Sequence, residues 1–291
     1  MLQMVRRFLA IISLTAALCS CSHLDLKGIL MPTGAGVEAR FKESVAMKQD
    51  LSAGAVDVKE TYYVYVAADP HIDQTHKNLS SFNYDLRNDE NAGFGVVLGD
   101  CTDARDNLAR YLDALTYNPD IHKFNQDVFH VLGNHDLFFN GWENFKETIG
   151  PSAYWFEAVF AGGKDLYISL DTATGTLGRN QTDWMKTFLT ENRSKYRHCI
   201  ILTHTNFFYT DTSQSSSGNL TIEECFSLID CFGKHDVSLV LQGHDHHRED
   251  LTCDNVRYTV LGAISDKCEP AEYLKLKVAP EEITFDWILM L

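Results

Sequence analysis

Five short apolar runs in this chain each lead into a Gly, Asp, Asn or His, and that repetition limits the fold more than any other feature. Tyr62 to Ala68 leads into Asp69, and Phe94 to Leu98 into Gly99-Asp100. Val128 to Leu132 leads into Gly133-Asn134, Cys199 to Thr203 into His204, and Val237 to Gln242 into Gly243-His244. Nearly continuous apolar runs of this length read as strands buried on both faces. Helical spacing appears between several of them. Residues 104–117 carry Leu108, Tyr111, Leu112 and Leu115, residues 181–192 are similar, and 221–233 opens with Thr221 and Glu224 in a capping-box pattern. Further strands are expected at 153–159, 165–171, 256–262, 272–278 and 282–289. Strands alternating with helices predict an α/β plan, with the polar residues at the carboxyl ends of strands, where such sheets open a binding crevice.

Residues 1–20 read as a leader rather than as part of the fold. Arg6 and Arg7 precede the eleven-residue apolar stretch Phe8–Leu18, too short for a membrane span of about 20 residues. Leu18-Cys19-Ser20-Cys21 then resembles the lipobox of bacterial lipoproteins, with Cys21 as the lipid-bearing cysteine. The expectation is an exported chain held on the periplasmic or cell-surface face of a bacterial membrane. An ordinary secretory peptide is the alternative. Residues 21–58, with Gly28, Pro32, Gly34, Gly36 and Gly54, read as a tether in which 37–50 could form a short helix, and residues 59–291 as the folded domain.

The formal charge is −15, and without residues 1–20, which hold two arginines and no acids, it becomes −17. Such a balance repels nucleic acid and anionic surfaces, so no nucleic-acid partner is expected. Nothing in the sequence identifies a protein partner. Cys101 and Cys199 read as small buried apolar groups, and Cys225 and Cys231 as facing different sides of a helix. Cys253 and Cys268 flank a strand and are candidates to pair.

The polar blocks at the strand ends are Asp69-Pro70-His71, Gly99-Asp100-Cys101-Thr102-Asp103, Gly133-Asn134-His135-Asp136, Thr203-His204-Thr205-Asn206 and Gly243-His244-Asp245-His246. A mixed Asp, Asn and His set suits two divalent transition metals, Mn, Fe, Zn or Co rather than Mg or Ca. In extended backbone, side chains two apart point the same way, so Asp69 and His71 are expected to share an ion. The glycines before Asp100, Asn134 and His244 permit tight turns or close backbone approach. Any one block alone is weak; five in this order are not.

These blocks resemble the calcineurin-like metallophosphoesterase superfamily, whose pattern is D-x-H, GD-x-x-D, GNH-D/E, a lone His and GH-x-H. The resemblance runs from Asp69 to His246 and includes Leu170-Asp171 and Gln181-x-x-Trp184. It implies an α/β fold, a four-layer α/β/β/α sandwich. It also implies a dinuclear site: Asp69, His71 and His246 on one ion, Asn134, His204 and His244 on the other, and Asp100 bridging. Two divalent ions bring about +4 against about −3 from Asp69, Asp100 and a bridging hydroxide, which leaves the site attractive to phosphate. The resemblance makes His135 the group that assists the leaving oxygen and Asp103 the group that orients it. Asp136 and Asp245 read as structural, as do His76, His122, His130, His198, His235 and His247. Asn206, Tyr209 and Arg248 are candidates to touch substrate, and the polar loop 206–219 either lines the pocket or is a solvated connection.

Departures from the pattern narrow the substrate. Ala104 follows Asp103 where protein Ser/Thr phosphatases carry a phosphate-binding Arg, and Asp103 stands where purple acid phosphatases carry a metal-binding Tyr. The expected activity is hydrolysis of a small phosphomonoester or phosphodiester. The Asn134-His135-Asp136 block with Asp103 upstream also resembles cyclic-nucleotide phosphodiesterases of the superfamily. A catalytically silent binding scaffold is the alternative of a different class, and a nuclease is disfavoured by the acidic balance.

Overall fold

The computed structural model describes residues 35–103, 107–116, 127–208 and 220–290. The leader with Cys21, His122, Tyr209 and the rest of the loop up to 219 lie outside the described residues. Among the described residues no helix is long and apolar enough to cross a membrane.

In chain order the elements are α1 (Val37–Met47), β1 (Ser52–Asp57), β2 (Tyr62–Ala67), α2 (Lys77–Asn88), β3 (Ala92–Val97), α3 (Leu108–Leu115) and β4 (Val128–His130). A 3-10 segment at His135–Asn140 leads into α4 (Gly141–Thr148), then β5 (Tyr154–Phe160), β6 (Gly163–Ser169), α5 (Gly178–Asn192) and β7 (Cys199–Leu202). The chain ends with α6 (Ile222–Lys234), β8 (Leu239–Gln242), β9 (Glu249–Cys253), β10 (Val256–Val260), β11 (Glu272–Val278) and β12 (Ile283–Leu289). The expected cap of α6 forms: the Thr221 hydroxyl accepts the Glu224 N–H at 3.3 Å.

The strands make two sheets. One has seven strands in the order β1-β5-β6-β7-β8-β10-β9, and the other has five in the order β12-β11-β2-β3-β4. Strands β2, β3 and β4 are parallel, as are β6, β7 and β8. Their carboxyl ends carry the polar blocks, so each sheet delivers part of the site.

The sheets face each other across a core containing Val64, Val66, Phe94, Val96, Phe156, Tyr167, Leu202 and Leu241. Helices α5 and α6 cover the outer face of the larger sheet, with Met185, Leu189, Leu228 and Phe232 on Leu166, Ile168, Ile201 and Val240. Helices α2 and α3 cover the smaller sheet, with Leu79, Phe82, Leu86 and Tyr111 on Tyr65, Ala67 and Val97. This is the expected four-layer α/β/β/α sandwich.

The tether over 21–58 is corrected by the structure from residue 35 onward. Strand β1 pairs in parallel with β5 at one edge of the larger sheet. Helix α1 buries Val37, Arg40, Phe41 and Ser44, with Phe41 packed beside Leu51, Ala153, Trp155 and Trp184. The Arg40 guanidinium is fully buried and grips Asp171 with both ends of its fork, Nε to Oδ2 at 2.8 Å and Nη2 to Oδ1 at 2.9 Å. Alternation is faint in Ser-Ala-Gly-Ala-Val-Asp because an edge strand buries little, so small residues suffice. The candidate pairing of Cys253 with Cys268 does not form, and all six described cysteines are free thiols.

Removing one partner of a buried, bidentate ion pair leaves the other charge unpaired. Arg40→Ala should therefore destabilise the fold by about 3–5 kcal/mol. Urea unfolding of wild type and variant measures this, and a difference under about 1 kcal/mol would show that α1 is only loosely attached.

Candidate metal centre

The site is assembled by continuing the strand pairing past the ends of the strands. Beyond β2 and β3 the chains stay zipped: Leu98 N–H donates to Ala67 O at 2.8 Å, Asp69 N–H to Gly99 O at 3.2 Å, and His71 N–H to Asp100 O at 2.9 Å. Beyond β7 and β8, Thr203 N–H donates to Leu241 O and Gly243 N–H to His204 O, both at 2.9 Å. The two sheets are joined by the His244 N–H, which donates to the Asp69 carboxylate at 2.9 Å.

Asp69 and His71 do not lie on extended backbone as expected. Asp69, His71, Asp100, His244 and His246 all have left-handed backbone, with φ of 53°, 45°, 51°, 76° and 56°; they make up five of the eleven positive-φ non-glycine residues described. Such a conformation costs roughly 1–2 kcal/mol for an L-residue. It turns each side chain out of the strand direction and into the space between the sheets. Glycines make room. Gly99 has φ 88°, and a Cβ there would sit 2.6 Å from His204 Nδ1. A Cβ on Gly133 would run into the Asp100 backbone, and one on Gly243 would sit 2.8 Å from Asp69 Oδ2.

Two clusters result. In the first, Asp69, His71 and His246 converge, with His71 Nε2 3.0 Å from His246 Nε2 and His246 Nε2 3.7 Å from Asp69 Oδ1. In the second, Asp100, His204 and His244 converge, with His204 Nε2 3.1 Å from His244 Nδ1. Asn134 joins the second cluster, its Oδ1 2.9 Å from His204 Nε2. Asp100 stands between them: Oδ1 is 3.4 Å from His204 Nε2 and Oδ2 is 3.7 Å from His71 Nε2.

The proton inventory tests whether metal ions fit. His204 Nδ1–H donates to the Leu98 carbonyl at 2.8 Å, and His71 Nδ1–H to Asp103 Oδ1 at 2.6 Å. The Nε2 atoms then point at other imidazole nitrogens and at carboxylate oxygens. A neighbouring imidazole N–H can be shared across each contact, and a cation among them would draw the lone pairs from every side. Ligand bonds of about 2.0–2.1 Å put ligand atoms about 3.0–3.4 Å apart around one ion, close to the spacings found. Burial holds His244 and His246 down at about 3, so both rings are neutral and offer lone pairs. Burial, reinforced by the Asp100 charge, pushes Asp69 well above the carboxylate range. The donor set fits two divalent ions.

His135 and Asp103 stand beside this set. His135 Nδ1 is 3.1 Å from Asp103 Oδ1, the oxygen that also takes the His71 proton, and His135 Nε2 faces Asp100 Oδ2 at 3.9 Å. Asp136 braces the loop, accepting Gly133 N–H at 2.9 Å and Thr102 N–H at 3.3 Å. Asn206 turns its amide to Phe208 O at 2.8 Å and Asp245 Oδ2 at 3.3 Å, and Arg248 pairs with Glu272 at 3.6 Å. His76, His130, His198, His235 and His247 enter neither cluster among the described residues.

Two supports were missed in the sequence. The Thr172 hydroxyl accepts the His204 and Thr205 N–H groups at 3.2 and 2.9 Å. Its neighbour Asp171 is clamped by Arg40 and by Gln181, whose side chain bonds both the Asp171 N–H and carbonyl. The available signal was an arginine inside the apolar face Val37, Phe41, Ser44 of a short helix.

The chain belongs to the calcineurin-like phosphoesterase family, whose signature matches residues 62–248, and this family works with two divalent metals. No curated protein sequence matches the chain. Among solved structures, a dimetal phosphatase from Danio rerio is similar with a TM-score of 0.58 at 15% identity, covering 78% of this chain and 95% of that one. GAP50, described as the anchor in the inner membrane complex of Plasmodium, is similar with a TM-score of 0.60 at 12% identity, over 79% of this chain and 84% of its own. The purple acid phosphatase PPD1 from yellow lupin has a TM-score of 0.60 at 13% identity, over 79% of this chain and 52% of its own. At these identities the likeness is one of fold.

Asp100→Asn should lower the bound metal, read by elemental analysis of the purified protein, because it removes the charge shared by both clusters. Chelation of the wild type should lower Tm by about 5 °C or more, since a ligand at 100 times its Kd stabilises by about 2.7 kcal/mol. A Tm indifferent to chelator would show that no ion is held here.

Proposed function

We propose that this chain is an exported, lipid-anchored phosphoesterase that hydrolyses a small phosphomonoester or phosphodiester at a dinuclear metal centre. The observation that carries the reading is the placement of Asp100, with one carboxylate oxygen toward each acceptor cluster. In this reading Asp69, His71 and His246 hold one ion, Asn134, His204 and His244 hold the other, and Asp100 holds both. When bound, the ions supply Lewis-acid stabilisation of charge at phosphorus and a lowered pKa for water.

The side chains do the rest. Asp103 fixes the His71 tautomer by accepting its Nδ1–H, so that His71 Nε2 is the ligating atom. The same oxygen lies by His135 Nδ1, which orients the ring and leaves Nε2 toward the shared carboxylate. His135 there holds a proton for the departing oxygen. Burial of Asp69, Asp100 and His204 excludes water from the ligand side, while His135 and Asp103 remain partly open to an entering substrate. The lipid anchor rests on Leu18-Cys19-Ser20-Cys21, and it puts the substrate outside the cytoplasm.

Metal-loaded protein should hydrolyse p-nitrophenyl phosphate or its bis ester. Turnover of neither between about pH 5 and 9, with both ions bound, would favour a silent scaffold over an enzyme. His135→Ala should retain both ions and slow turnover by about 10²–10⁴-fold; unchanged kcat would remove His135 from the mechanism. Labelled fatty acid should enter the wild type and not Cys21→Ala, and label in both would place the anchor elsewhere.

A further inference from the structure

The rim of the centre carries a cation that the roles above do not use. Among the described residues, the lysine or arginine paired with a carboxylate of the His71–Asp103–His135 group is Lys267, whose Nζ lies 3.6 Å from Asp103 Oδ2 and 3.4 Å from Asp73 Oδ2. Arg110, far away in sequence, reaches the same corner and donates to the Asp73 carbonyl. The carboxylates of Asp73, Asp103 and Asp266 lie at the same corner, so these cations are set among acids at the rim of the centre.

The Lys267 backbone is held firmly and its side chain only by long, exposed contacts. Ile264 N–H donates to Ala68 O at 2.9 Å, next to Asp69, and Cys268 N–H donates to Ser265 O at 3.0 Å. The Asp266 carboxylate takes the Lys77 and Asn78 N–H groups at 2.9 and 2.8 Å, capping α2. These bonds pin the turn between Ile264 and Cys268 against the Asp69–His71 corner. The Lys267 side chain, in contrast, is 58% exposed, and both its ion pairs are longer than the 2.7–2.9 Å of a charge-assisted hydrogen bond. Exposed pairs of this kind are weakly held, and the lysine stem has four rotatable carbons.

We propose that Lys267 is a phosphate-binding residue of this centre, its ammonium leaving Asp103 and Asp73 for a nonbridging oxygen of the substrate. Because a monoester carries about two negative charges near neutral pH and a diester one, the cation favours monoesters. The inference rests on the phosphoesterase reading and deepens it to a substrate preference.

Calorimetric titration of metal-loaded wild type, Lys267→Met and Lys267→Arg with inorganic phosphate is the primary test. Lys267→Met should weaken phosphate binding about tenfold with metal content unchanged, and Lys267→Arg should restore most of it. The KM for p-nitrophenyl phosphate should rise about tenfold in Lys267→Met, and that for the bis ester by less than about threefold. Phosphate affinity within twofold of wild type, a KM that rises equally for both esters, or loss of metal from Lys267→Met would overturn the assignment. A wild type that turns over neither ester would sink the phosphoesterase reading instead, while its phosphate titration against Lys267→Met still decides the role of Lys267.

Discussion

Asp69 and Asp100 are buried side by side, and among the described residues no lysine or arginine pairs with either. Imidazole nitrogens lie beside both. The burial that makes two carboxylates costly also drives protons off His244 and His246. Burying one uncompensated ion costs several kcal/mol even after the protein relaxes. Asp69, its carboxyl pushed above the ordinary range, can relieve this cost by taking a proton, and bound cations would relieve it while leaving both carboxylates charged. The rest of the architecture presents acceptors to those cations and keeps them from collapsing on each other.

That presentation depends on two sheets, packed face to face, opening at one mouth. Strand β2 supplies Asp69 and His71, β3 supplies Asp100, and β4 supplies Asn134 and His135; β7 and β8 supply His204, His244 and His246. The shared core of Val66, Phe94, Val96, Leu202 and Leu241 sets the distance between the two sources. Left-handed residues then act as elbows that aim side chains across the gap. A backbone in that region relaxes if it is free to do so, so the hydrogen bonds zipping 67–72 to 97–101 are what hold the elbows in place. Arg40, Asp171 and Thr172 do the same for His204 from the opposite side.

The strands that carry the site were legible because they are central. Burial on both faces demands apolar runs, and the five runs ahead of Asp69, Asp100, Asn134, His204 and His244 all appear as strands within a few residues of the expected bounds. The strands not foreseen, β1 and β9, are the two edges of the larger sheet, half exposed and free to be polar or small. Helix α2 was also not foreseen; its Leu79, Phe82 and Leu86 stripe is diluted by the buried polar Asn83 and Arg87. For the site, residue identity and order were readable, but backbone conformation was not. An Asp-x-His triplet looks the same in sequence whether extended or left-handed; the left-handed form is held by the pairing with Gly99 and Asp100. Arg40 was missed because an arginine in a glycine-rich stretch reads as solvated, and its partner Asp171 lies 131 residues away.

Fold likeness alone does not separate a hydrolase from a scaffold, since the same sandwich is shared with a phosphatase and with a protein described as an anchor. The energetic character of the site speaks to what it binds. Five left-handed residues and two buried carboxylates are each unfavourable to folding. Buried ionic groups of this kind often contribute no net stability by themselves. Cations within the site would offset that cost. His135 and the exposed Lys267 lie on the open side of the same cluster, outside the proposed ligand set and within reach of an anion arriving from solvent. Unfavourable acceptors on the closed side and proton or charge donors on the open side form the polarity expected of a centre that binds a phosphoester and works on it.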